Sequence, residues 1–161
     1  MMKAEPQSEH DWLLNFAGEW TYEGECSMGP DQPPMKSTGS ETVRTLGSLW
    51  VVGDGRSRMP DGSPATTMIT LGFDPRTGRF VGTWVGSMMT HLWIYDGVLD
   101  EAGKVLTLDS IGPSFAGDGS MSKYQDIFTL QSRDHRILTS RAMGPDGQWN
   151  EFMTVHYRRK K

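Results

Sequence analysis

Cysteine is almost absent: Cys26 is the single one in 161 residues, so no disulfide can form within the chain. That excludes a small secreted scaffold stapled by disulfides and fits a reducing compartment. Long apolar runs are missing too. Met1 to Phe16 carries Glu5, Glu9 and Asp11, a pattern of neither a secretory signal nor a membrane span. The expectation is a cytoplasmic protein with no membrane partner. Positive charge is also short, with a formal net charge of −4. Binding to a phosphate backbone needs a basic face, and the only basic run is the terminal Arg158-Arg159-Lys160-Lys161, which reads as a solvated tail. No nucleic-acid partner is expected.

Catalytic motifs are missing as well. There is no G-x-S-x-G elbow, no H-E-x-x-H, no P-loop and no G-x-G-x-x-G after a strand. The four histidines and one cysteine do not fall at zinc-ligand spacings, so no metal is expected. Catalysis would have to come from residues that the fold assembles.

Punctuation residues are plentiful. Nineteen glycines and nine prolines are spread along the chain, which points to many short strands and tight turns. The length suits one domain over residues 1–161. A short helix is expected over about 8–17, with Ser8 as N-cap, Trp12, Leu13 and Phe16 on one face, and Gly18 as terminator. Strand one follows, with Trp20, Tyr22, Gly24, Cys26 and Met28 alternating against Glu19, Thr21, Glu23, Glu25 and Ser27. Successive strand side chains point to opposite faces, so one face is apolar and the other acidic or hydroxylic.

Turn signals such as Pro60-Asp61-Gly62, Asp74-Pro75-Arg76-Thr77-Gly78 and Gly144-Pro145-Asp146-Gly147 then recur. Between them lie strand-like segments near 36–46, 49–59, 65–73, 79–86, 89–97, 104–111, 120–130, 136–143 and 148–158. With strand one they make ten. Connections this short force antiparallel neighbours, and an open sheet would leave two bare edges. The expected fold is all-β: an up-and-down antiparallel barrel of about ten strands over about 18–158, with a short N-terminal helix. Ten strands leave an interior slightly wider than eight do, with room for a ligand.

Gly18-Glu19-Trp20, just after a helix and at the start of strand one, resembles the G-x-W signature of lipocalin-like (calycin) barrels. The resemblance implies that Trp20 sits at the closed end, crossed by a basic side chain of the last strand: Arg158 or, as second choice, Arg159. Over nearly the whole chain, Gly18-Glu19-Trp20, the stretch Gly82 to Trp93 and Phe152-Met153-Thr154-Val155-His156-Tyr157-Arg158 resemble the bacterial domain-of-unknown-function family 1579. That resemblance implies the barrel and no particular activity.

Four sets of residues are candidates for a site. Trp84, His91, Trp93 and Tyr95 would form an aromatic wall, with His91 orienting a small hydrophobic or aromatic ligand; the plainer reading is ordinary core with a hydrogen-bonded histidine. Glu41 and Arg56 would hold a polar ligand end, or else pair on the surface. His156 shares a face with Arg158; nitrobindin-type haem barrels, which this chain resembles in strand number, use a histidine near the C-terminus, so His156 is a possible haem ligand. The methionines, Met68, Met88, Met89, Met121 and Met153 among them, suit adaptable apolar packing. Leu49-Trp50-Val51-Val52 and His91-Leu92-Trp93-Ile94-Tyr95 are apolar on both faces, which suggests a homodimer built on them. First in rank is a binder of a small apolar or aromatic molecule that needs no cofactor. Behind it stand a haem protein, a small-molecule isomerase or decarboxylase using His91, Glu41 and an arginine, and a filled barrel serving as an assembly module.

Overall fold

A computed structural model describes residues 3–27 and 29–161. Its described residues form ten strands that close into one antiparallel barrel: β1 (Gly18–Cys26), β2 (Met35–Leu46), β3 (Trp50–Arg58), β4 (Pro64–Asp74), β5 (Arg79–Gly86), β6 (Trp93–Leu99), β7 (Val105–Pro113), β8 (Met121–Ser132), β9 (His135–Met143) and β10 (Trp149–Arg159). Every strand pairs with its sequence neighbours, and β1 pairs with β10 to complete the ring. The up-and-down closure read from the turn spacing is therefore correct. The place expected for Met28 at the end of strand one lies outside the described residues.

The short helix α1 (Ser8–Trp12) continues as a 3-10 turn over Leu13–Phe16. It begins one residue earlier than the expected serine cap: Gln7 holds the cap position, and its backbone N–H donates to Nδ1 of His10. Nε2 of the same ring bonds the carbonyl of Phe73 at 3.0 Å, so one buried histidine ties the helix start to the barrel. Trp12 donates from Nε1 to the carbonyl of Gly103 at 2.7 Å. Five residues are too few for a helix stable by itself; these tethers and its apolar face hold it across one end of the barrel.

That end is densely packed. Leu13, Phe16, Trp20, Leu71, Phe80, Leu106 and Phe128 are all buried in one cluster. Edge-to-face ring pairs knit it: Phe16 with Phe128 at 5.3 Å and Trp12 with Phe80 at 5.8 Å between centroids. Each buried Leu or Phe contributes about 1.5–3 kcal/mol, so this plug anchors the fold.

β6 starts at Trp93, four residues later than the sequence pattern suggests. Residues 87–92 turn instead: the N–H of Ser87 bonds the carbonyl of Thr66, and that of Met89 bonds Gly86. His91 is therefore in the connection and not on the strand. The described residues contain no helix long and apolar enough to cross a membrane.

Candidate functional site

In a closed barrel the side chains alternate between lumen and exterior, so the pairing register assigns each one. On β5 and β6 the inward positions include Trp84, Trp93 and Tyr95, with Trp84 and Trp93 directly opposite each other. On β8, Tyr124, Asp126 and Phe128 point inward; on β9, Arg136, Leu138 and Ser140; on β10, Met153, Val155 and Tyr157. The wall five strands away from Trp93 is made by β1; there and on β2 and β3 the inward positions Gly24, Gly39 and Gly55 are covered by Val155, Tyr22 and Thr67.

The base is filled by a buried ion pair. Arg136, 2 % exposed, donates from Nη2 to Oε1 of Glu41. Its guanidinium carbon lies 4.2 Å from the Tyr157 ring centre, 4.4 Å from Trp20 and 4.9 Å from Phe16. Nε and Nη1 have no hydrogen-bond partner among the described residues; the stacked rings around them offer π faces in place of acceptors. Burial pushes the Tyr157 hydroxyl well above its ordinary pKa of 10.0, and the nearby Glu41 charge adds to the shift.

A second polar cluster sits above the plug. The Tyr95 hydroxyl donates to Oδ2 of Asp126 at 2.5 Å, and the Ser140 hydroxyl donates to Oδ1 at 2.6 Å. Burial raises the Asp126 pKa above 3.8, with the two hydrogen bonds opposing that shift. Tyr95 is raised well above 10.0, first by burial and then by the Asp126 charge.

Toward the open end the packing loosens. Tyr22, Ile69, Trp84, Trp93, Asp126 and Met153 all point inward, yet none is fully buried. Their accessible surface faces inward, and that of Trp93, the first residue of β6, opens to the mouth. Aromatic edges then lead outward: Trp93 meets Tyr124 at 4.9 Å, and Phe115, Tyr124 and Phe152 meet in a triangle of 5.0–6.1 Å at the mouth. Phe115, on the loop between β7 and β8, is 72 % exposed. Two clefts flank this mouth. One, of about 690 Å3, lies between that loop and the β9–β10 turn. The other, of about 770 Å3, runs over the outer face past Leu92, Ile94 and Ile111.

The sequence candidates divide on this geometry. Trp84, Trp93 and Tyr95 converge on the lumen. His91 is at the rim, its Nε2 bonding the Ile111 carbonyl at 2.9 Å and its ring edge-on to Trp93 at 4.8 Å. Glu41 is inward, but its partner is Arg136; Arg56 pairs with Ser40 in register, is exposed and points outward. Arg158, expected to cross Trp20, also points outward and pairs with Glu23 at 2.8 Å. The crossing residue is Arg159, whose guanidinium lies 4.2 Å from the Trp20 ring and donates to the carbonyls of Ala17, Asn15 and Arg133. One step along a strand reverses the face, and the register Trp20↔Arg159 decides it. His156 falls outside for the same reason, its Nδ1 3.0 Å from Nε2 of His135, so it cannot ligate haem within the lumen. His91 and Glu41 lie toward opposite ends of the barrel and form no acid–base pair. Asp126, Ser140, Arg136 and Tyr157 went unremarked in the sequence; the alternation Tyr124-Asp126-Phe128 was the signal that would have placed Asp126 inside.

The chain belongs to the family described as "Protein of unknown function (DUF1579)", whose model matches residues 5–159. Among solved structures it is similar to Rv2717c from M. tuberculosis, with a TM-score of 0.69 and 14% identity over 98% of this chain and 100% of that one. It is also similar to a fluorescence-activating β-barrel designed de novo, with a TM-score of 0.51 and 13% identity over 93% of this chain and 98% of that one. A third is EF1p2_mFAP2b bound to DFHBI, with a TM-score of 0.50 and 13% identity over 94% of this chain and 98% of that one. At such identities the likeness concerns the fold. No curated protein matches the chain.

Proposed function

We propose that the protein binds a small apolar or aromatic molecule in the upper half of its barrel, lodged against Trp84 and Trp93. The observation that carries this reading is the half-buried state of the inward-facing Trp84 and Trp93, which lie opposite each other in the open half of the barrel. Concave, mostly apolar space with a few fixed polar groups is the usual form of a small-molecule site. An exposed apolar rim of Met88, Met89, Leu92, Phe115 and Met121 supports entry from the open end, since methionine adapts its shape to the guest. A similar barrel, EF1p2_mFAP2b, holds DFHBI, which supports this fold as a container. The test is titration with the neutral dye N-phenyl-1-naphthylamine. Saturable fluorescence gain is expected, lost when Thr67→Trp fills the lumen and kept when Ile94→Ser alters only the outer groove. Absence of saturable gain, or gain that survives Thr67→Trp, removes the reading.

We propose further that a second copy of the chain covers the outer face of β4 to β7, in a reducing cytoplasm where Cys26 stays a thiol. Met68, Val85, Ile94 and Ile111 point outward there and are exposed, Ile94 by 64 %. Light scattering at micromolar concentration should give a dimer mass, and a monomer mass for Ile94→Lys; a monomer mass for the unaltered protein ends this reading.

A further inference from the structure

Four charged side chains point into the barrel among the described residues: Glu41, Arg136, Arg159 and Asp126. Three are accounted for. Glu41 and Arg136 neutralise each other, and Arg159 sits at the closed end on backbone carbonyls, with Asp134 3.2 Å away. Asp126 has no cation among its ion pairs or hydrogen bonds; both of its oxygens accept from hydroxyls, Tyr95 on one and Ser140 on the other. A carboxylate oxygen accepts more than one hydrogen bond, and Asp126 keeps accessible surface on the lumen side. The two hydroxyls fix the carboxyl plane and leave acceptor capacity on the inward side of the wall.

The open-end connections are acidic, while strand ends beside them add cations: Arg58 donates to the Gly62 carbonyl, and Lys123 lines both clefts at the mouth. Five connections surround the open end: 27–34, 59–63, 87–92, 114–120 and 144–148. They contain Asp31, Asp61, Asp118 and Asp146, and no lysine or arginine. Neighbouring serine hydroxyls and backbone N–H groups hold the Asp61 and Asp118 carboxyls below their ordinary range, so these stay charged. The four connection aspartates favour cations over anions, Arg58 and Lys123 offset them in part, and the faces of Trp84 and Trp93 attract a cation in their turn.

We infer that the ligand is a small aromatic amine, its ammonium group held by Asp126 and its ring by Trp84 and Trp93. This rests on the lumenal binding proposed above and names its ligand class. The amine N–H groups donate to the free lone pairs of Asp126, while Tyr95 and Ser140 keep their present bonds. The aromatic body replaces internal water against the two indoles. An anion of the same shape meets an unpaired carboxylate and the connection aspartates, and is refused.

Three indole probes of similar size separate the possibilities by calorimetry on the full chain at neutral pH: tryptamine (cationic), 3-methylindole (neutral) and indole-3-acetate (anionic). Tryptamine is expected to bind roughly tenfold or more tighter than 3-methylindole, the ratio a charge-assisted hydrogen bond supplies, with indole-3-acetate weakest. Asp126→Asn, close in shape, should abolish the preference for tryptamine over 3-methylindole. Equal affinity for the amine and the neutral probe in the unaltered protein overturns the inference while lumenal binding stands. A preference that persists in Asp126→Asn overturns it too, and failure of all three probes to bind overturns it while the dye titration decides lumenal binding separately. The unaltered protein decides the first comparison, so the result does not depend on the variant folding.

Discussion

The two ends of this barrel put similar residues to different uses. At the closed end Trp20, Phe16, Phe80 and Phe128 are buried, each against another ring or a guanidinium, and the charged pair Glu41–Arg136 is enclosed with them. At the open end Trp84, Trp93 and Phe152 are half-buried, and Phe115 stands in solvent. Glycine makes room for two of the open-end rings. A Cβ at Gly112 would collide with the Trp93 ring, and one at Gly39 with the Tyr22 hydroxyl; there the absent side chain is a seat for an aromatic group. Aromatic residues stabilise when enclosed on all sides, and they recognise when one face is left open. The difference lies in how much of the surrounding wall is filled.

The largest expected effect tests the closed end. Arg136→Ala strands the Glu41 carboxylate in an apolar plug and should cost about 3–5 kcal/mol, the usual penalty for breaking a buried pair from one side, read as a drop in the urea midpoint. Replacing both partners, Glu41→Met with Arg136→Leu, should recover most of that loss. If it does not, the pair does more than neutralise itself.

Trp93→Ala should cost less than Trp20→Ala. A fully enclosed Trp removed from a core costs about 3–5 kcal/mol, whereas Trp93 has a face already open; about half that loss is expected by the same bookkeeping. Dye capture should fall with Trp93→Ala. Equal losses at the two positions would mean that the lumen is as full as the plug, and the comparison would collapse.

The pH dependence of Asp126 sharpens the comparison further. Its folded pKa is raised above the ordinary 3.8 because burial penalises the charged form. The native state then binds its proton more tightly than the unfolded chain, so stability falls as pH rises from about 3.8 to the raised folded value and is flat above it. Melting temperatures of the natural protein, measured relative to Asp126→Asn, should decline across that window. A relative melting temperature that rises with pH would mean that the hydroxyl bonds from Tyr95 and Ser140 outweigh burial.

The smallest effects belong to the outer face. Arg158→Ala breaks an ion pair with Glu23 that is more than half exposed on both sides and should move stability by no more than about 0.5 kcal/mol. Arg159→Ala should cost more, because it uncovers Trp20 and frees three backbone carbonyls. This pair of neighbours checks by denaturation which arginine closes the barrel.

The strand count, the turns and the closure were legible residue by residue, because tight turns need glycine, proline and aspartate wherever they occur, and a side-chain period of two shows in any half-buried strand. Strand one displayed that period openly, and so did Tyr124-Asp126-Phe128. The cap expected at Ser8 falls on Gln7 instead, whose N–H donates to His10, a ring held by the carbonyl of Phe73, 63 residues away. What the sequence could not decide was register and facing around the ring. Arg158 and Arg159 are adjacent and chemically alike; only the pairing of β1 with β10 turns one toward Trp20 and the other, with His156, toward solvent. The order of residues alone thus determined that the chain closes into a barrel with an apolar interior. The tertiary structure decided which charges go inside it, because a lumenal site is assembled from strands distant in sequence, and a one-residue slip between any two of them exchanges lumen for surface.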